Sequence, residues 1–216
     1  VYHCAHALLE TARKREEAIV EELPLRPDVI VPGENVFLGP IRRELAPMYR
    51  RWMNDLEVAL TLSVLPRLPM TDEDELDWVD ATRRDARARV FTIYERPADR
   101  PVGNAAIHDI DFHAGSAEVG IVIGERSAWG RGYATEALGL LLDYGFVVLG
   151  LNQVWLRYVA FNARARHVYD RLGFREAGRL REAVRVGQQR YDVVFMDMLA
   201  REFRSPVLAE KLCLPR

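Results

Sequence analysis

The residues best suited to chemistry lie in IGERSAWGRGYATEAL, 123–138, where a strand pattern stops, two glycines stand two apart, and a helical pattern begins. Gly130 and Gly132 let the backbone turn sharply because no Cβ is in the way. A helix that starts there offers free N–H groups and the positive end of its dipole, an arrangement suited to a phosphate or diphosphate. A Walker loop is excluded, since its GxxxxGK[ST] pattern needs a lysine this stretch lacks. A dinucleotide fingerprint fails too, because Thr135 stands at the third glycine position of GxGxxG. Taken alone, Gly130-x-Gly132 could equally be a bare helix-start turn.

Such a loop needs a frame, and the composition provides for one. The chain has 216 residues, 49% hydrophobic and 29% charged, enough to bury a core without metal or disulfide staples. With 30 Lys+Arg against 32 Asp+Glu the formal net charge is −2, which argues against a global electrostatic grip on nucleic acid. The Arg-rich stretches 83–89 and 163–171 are interspersed with acids. No apolar run approaches the ~18–20 residues that span a bilayer, and no secretory signal pattern is visible, so no membrane contact and a cytoplasmic location are expected. Cys4 and Cys213 sit at opposite ends, which suits neither a disulfide framework nor a cysteine zinc site. His3, Cys4 and His6 could catch a metal but read as a terminus, and no metal site is expected.

Periodicity predicts the elements. A charged helix over 8–23 is followed by a Pro-rich break, so 1–34 is read as an appendage that covers the domain or mediates a homodimer. A strand over 36–41 precedes a helical stretch, 42–62, that could break at Pro47. Thr71 and Asp72 are N-cap candidates for a helix over 73–88. Strands over 89–96, 102–112 and 117–124, joined by tight turns, form an antiparallel meander. A single amphipathic helix is expected over 132–149, then a strand over 153–160. Asn162 opens a helix that Gly173 closes, and strands over 174–182 and 190–199 complete an α+β domain, 35–200, with a tail over 201–216.

With this frame in place, WGRGYATEAL resembles the acyl-CoA loop of the GNAT family of N-acetyltransferases, whose pattern is Q/R-x-x-G-x-G/A. It falls on Trp129-Gly130-Arg131-Gly132-Tyr133-Ala134, with Trp in place of Gln or Arg at the first position. The family's second motif, N-x6-Y-x3-GF, is matched by Asn162, Tyr169, Gly173 and Phe174. Ala117-Glu118-Val119-Gly120 reads like the AE-x-G of the branch that holds ribosomal-protein N-terminal and spermidine acetyltransferases. The resemblance covers roughly 36–200. It implies the GNAT fold, a mixed and mostly antiparallel sheet flanked by helices, with acetyl-CoA as cosubstrate and an amine as acceptor.

It also implies roles. The pantetheine arm would pair with free backbone groups of Ile121, Val122 and Ile123, in a slot between splayed strands. The loop residues 129–134 and Thr135 would hold the diphosphate, and Asn162 a pantetheine amide besides its cap. Arg126 and Arg131 could reach phosphates or lie solvated. An attacking amine must be neutral: at pH 7 that is about one in 2,500 for a lysine-like amine and about one in seven for an α-amine. Glu118 is the leading general base, directly or through water, if its strand face lines the cleft; His108 and Asp109 are weaker candidates. Tyr169 would protonate the leaving thiolate, and His167 is read as structural. The acceptor should lie against 42–88 and the turn at 183–190, where acidic 71–80 could attract a cation. A peptide or protein N-terminal amine is expected first, then a small-molecule amine; a non-catalytic acyl-CoA sensor is the alternative.

Overall fold

The computed structural model describes residues 26–62 and 69–208. The expected 8–23 helix, the His3/Cys4/His6 group and the end of the tail lie outside the described residues.

Seven strands form one sheet in the order β1-β2-β3-β4-β5-β7-β6: β1 Val36–Pro40, β2 Arg89–Glu95, β3 Arg100–Asp111, β4 Ser116–Ile123, β5 Gln153–Val159, β6 Arg175–Val186 and β7 Gln189–Leu199. The expected meander forms the β2–β4 block, each pair antiparallel. The one parallel junction, β4 with β5, stops after Ser116↔Gln153, Ala117↔Val154 and Glu118↔Trp155. Beyond Glu118, one edge of β4 from Val119 and one edge of β5 from Leu156 carry no ladder partner among the described residues. β7 folds back between β5 and β6, so the hairpin closes with the later strand on the inside.

Helices cover both faces. On one lie α1 (Ala46–Met53), the short α2 (Leu56–Ala59) and α3 (Asp72–Arg84); on the other α4 (Tyr133–Asp143) and α5 (Ala163–Leu172). Pro47 does not break the first helix. It sits in its opening turn, where a missing N–H costs nothing, and the break comes at Asn54 and Asp55, with Asp55 capping α2. Thr71 caps α3 in a reciprocal box with Asp74, and the helix ends at Arg84, short of the expected 88. The expected 132–149 helix is two pieces, α4 and a π-helical turn over Tyr144–Val148, in which Leu149 N–H reaches back to Tyr144 O. Among the described residues no helix is long and apolar enough to cross a membrane.

Strand parity divides the core. Ile107, Val119, Val154 and Leu156 pack with Leu138, Leu141 and Leu142 of α4 in one continuous cluster. The opposite face carries a smaller cluster of Ile41, Tyr49, Trp52 and Val79. There Tyr49 Oη hydrogen-bonds Thr92 Oγ1 within the interior.

Candidate active site

The loop expected to hold a phosphate is shaped by backbone angles. β4 ends against Trp52, whose ring would stand 2.2 Å from a Cβ at Gly124. After a 3-10 turn over Arg126–Ala128, Gly130 and Gly132 take φ of 75° and 82°, left-handed values that strain other residues. A Cβ on either would meet nothing within 4 Å, so the turn requires glycine for its φ and leaves open space in front. Gly132 is the N-cap of α4, and Tyr133, Ala134 and Thr135 form the first turn, where N–H groups have no intrahelical acceptor. Glu136 could compete for those amides, but its carboxylate accepts from the backbone N–H groups of Glu34 and Asn35 at 2.7 and 2.9 Å. That bond ties the lead-in of β1 to α4.

The side chains around the loop are distributed unevenly. Trp129 donates its indole N–H to Ile123 O at 2.7 Å, closing the strand-to-loop corner. Arg126 pairs with Glu57 at 2.9 Å and Asp55 at 3.7 Å, so it serves α2. Arg131 lies 4.0 Å from Glu95. Asn162 caps α5 by accepting from Ala165 N–H at 3.0 Å, and its amide N–H donates to Thr61 O at 3.0 Å. One of its two N–H donors is thus used on the chain beyond α2.

Glu118 and Tyr169 fall on opposite faces of the sheet. Glu118 pairs in register with His108 and Trp155, which puts it on the α1/α3 face with Gly120 and Val122. It lies at the last β4–β5 rung, where the strands part. Arg157 Nε stands 3.0 Å from its Oε1. Burial pushes the Glu118 carboxyl above its ordinary range, and Arg157, then His108, pull it back. Asp85, His108, Asp109, Glu118, Gly120 and Arg157 line a cavity of ≈ 380 Å³. The β3–β4 register slips between His108 and Asp111, and Asp109 takes φ 48°, so an irregularity opens the sheet at this cavity.

Tyr169 packs on the other side, against Tyr158 of β5 at 5.6 Å between ring centroids and Phe174 at 6.0 Å. It is 7% exposed, and burial, followed by Tyr158, pushes its hydroxyl up to about 12. His167 is exposed on α5. Thr135 lines a different and larger cavity, ≈ 730 Å³, with Gly33, Gly139, Arg171 and Phe203.

Sequence reasoning passed over Arg157 and Asp85. Arg157 had a signal, a charge inside the otherwise apolar strand QVWLRYVA. Asp85 had none, because it reaches the cavity only when α3 packs on the sheet.

The arrangement combines a helix start with free amides, a gap in a ladder leading from it, and the Glu118–Arg157 pair at the far end of that gap. It can hold a phosphorylated extended ligand and present its other end to a polar cavity.

Comparisons with known proteins agree with this geometry. The family model described as Acetyltransferase (GNAT) domain matches residues 35–175. The chain is 28% identical over 171 residues to N-acetyltransferase p20 of Bacillus licheniformis, covering 79% of this chain and 96% of the relative. It is 30% identical over 135 residues to a spermidine N(1)-acetyltransferase of Vibrio cholerae, covering 62% and 78%. The crystal structure of spermidine N-acetyltransferase from Vibrio cholerae in complex with CoA and spermine shares the fold, with TM-score 0.73 at 22% identity over 79% of this chain and 98% of that one.

Proposed function

Because the chain belongs to the acetyltransferase (GNAT) family and is an acetyl-CoA-dependent N-acetyltransferase, we propose that its acceptor is a peptide or protein N-terminal α-amine, attacked directly in the cavity beside Glu118. The observation that carries attack at this place is the interrupted β4–β5 ladder, whose closed end is at Glu118 and whose open end leads to the Gly130–Gly132 helix start.

Each part of the chain has a task. The amides of 133–135 bind the diphosphate. The open edge of Val119–Ile123, about 16 Å long at ~3.3 Å per residue, pairs with the amides of the pantetheine arm. One N–H of that edge polarises the thioester carbonyl. Glu118 takes the proton from the amine as the C–N bond forms and the C–S bond breaks. Tyr169, across the sheet, faces the departing sulfur. A phenol at about 12 is a weaker acid than a thiol near 8.5, so full transfer would be uphill by ~5 kcal/mol. Tyr169 therefore stabilises the developing thiolate as a hydrogen-bond donor that stays protonated throughout the physiological range.

The α-amine reading rests on proton supply. Glu118 is a carboxylate base, raised by burial and held by Arg157, and an α-amine asks least of it. A second reading, a polyamine, is favoured by the carboxylates of Asp85, Asp109 and Glu118 on one cavity and by the spermidine acetyltransferase relatives. Thiol release from acetyl-CoA measured over N-terminal peptides, polyamines and aminoglycosides decides. The highest kcat/KM is expected on peptides. A higher value on spermidine would move the conclusion to the second reading, and CoA binding with no turnover on any amine would leave a sensor.

A further inference from the structure

Trp129 stands where the resembled loop pattern carries Gln or Arg, so the loop lacks that polar side chain at its first position. The indole is instead built into the corner: its N–H is committed to Ile123 O, and its face is turned to α5. Arg164, in the first turn of α5, lays its guanidinium over that face with Cζ 4.9 Å from the ring centroid. The contact thus joins the β4–loop–α4 side of the open ladder to the β5–α5 side.

The neighbouring arginines are held by carboxylates. Arg126 has Glu57 and Asp55, Arg131 has Glu95, and Arg166 has Asp170 at 3.4 Å. Arg164 is exposed and, among the described residues, has no carboxylate partner. An aromatic face orients a guanidinium without neutralising it. A π face accepts no full proton from the guanidinium, so its N–H groups keep their capacity for the paired oxygens of a phosphate.

We infer that Arg164, oriented by Trp129, clamps a phosphate group at the nucleotide end of acyl-CoA, supplying from α5 the polar contact that the loop's first position lacks. Arg164 binds the ligand; Trp129 is a positioning residue. The inference rests on the acetyl-CoA reading above. Phosphate is the shared chemistry, and the diphosphate and the 3′-phosphate are its two sources.

The test measures dissociation constants by calorimetry and steady-state constants for the full chain with acetyl-CoA, its 3′-dephospho form, and acetyl-pantetheine. Arg164→Gln should weaken acetyl-CoA about 10-fold and raise its KM similarly, with kcat at saturation within twofold; Arg164→Lys should recover part of the loss. Acetyl-pantetheine, which has no phosphate, should bind both forms alike. If the loss persists with the dephospho compound the diphosphate is the target; if it disappears, the 3′-phosphate is. Trp129→Ala should reproduce the Arg164→Gln loss, and the double variant should add little. Wild-type affinity for acetyl-CoA in Arg164→Gln, or an equal loss on acetyl-pantetheine, overturns the inference alone. A wild-type chain that does not bind acetyl-CoA overturns the acetyltransferase reading and this inference with it.

Discussion

On the α4/α5 side of the sheet, Leu138, Leu141, Leu142 and Leu156 belong to one continuous apolar layer. On the α1/α3 side, Ile41, Tyr49, Trp52 and Val79 form a small cluster beside buried Thr92, Asn104 and Glu75. The first face is mostly apolar, and the buried Asp143 carboxylate at the end of α4 accepts from Ser205 Oγ and from the backbone N–H groups of Val207 and Leu208, so this face can hold the open slot rigid. The second admits polar groups close to the sheet, and there the Glu118 cavity opens. One sheet thus carries two different faces, a mostly apolar one under α4 and α5 and one with a polar cavity beside α1 and α3.

The contrast can be broken most severely from the dry side. Leu138→Ala should cost about 2–5 kcal/mol of stability, toward the upper end of that range, and Ile41→Ala on the other face, at a site 8% exposed, toward the lower end, both read by denaturant unfolding. Gly132→Val forces a β-branched residue to φ 82° and fills the open space before the loop. Its CoA affinity should fall by ~100-fold or more in calorimetry, about 2.7 kcal/mol; an unaltered affinity would remove the loop assignment.

Smaller effects sharpen the comparison. Glu118→Gln should lower kcat/KM by about 100-fold near pH 7 and less at pH 9, where more of the amine is already neutral. A loss independent of pH would assign Glu118 a purely structural part. Tyr169→Phe should lower kcat by up to about 100-fold with little change in CoA binding, and an unchanged rate would reject its contact with the leaving sulfur.

The mildest test concerns Glu75, whose carboxyl burial pushes from 4.5 to about 7. Between those values the folded chain holds a proton that the unfolded chain has lost, so this contribution is present at low pH and disappears as pH rises through about 7. Melting curves of Glu75→Gln should match wild type at pH 5 and lie a few degrees higher at pH 8. Coincident curves at both would mean the acid is solvated.

Much of the frame was legible because its signals are local. Thr71 and Asn162 announced helix starts, Gly173 an end, and alternation marked the β2–β4 meander. The helix read over 132–149 missed its π-helical turn, because side-chain spacing does not report which carbonyl an N–H will reach. Pro47 was misread because proline breaks a helix interior yet suits its first turn. In the site, Gly130 and Gly132 were visible as residue types, whereas Asn162's bond to Thr61 spans 101 positions and left no trace in either stretch.

By itself, then, the sequence determined which elements form, their order and several of their caps, and marked a helix start suited to an anion, since capping, alternation and glycine's torsional freedom act over a few residues. It could say that Glu118 and Gly120 share a face but not which face. Only the tertiary structure decided that this face meets α1 and α3, that Arg157 neutralises Glu118, and that Tyr169 lies across the sheet. Parity gives a strand two sides, and only the packing of distant helices makes one of them a core and the other a cleft.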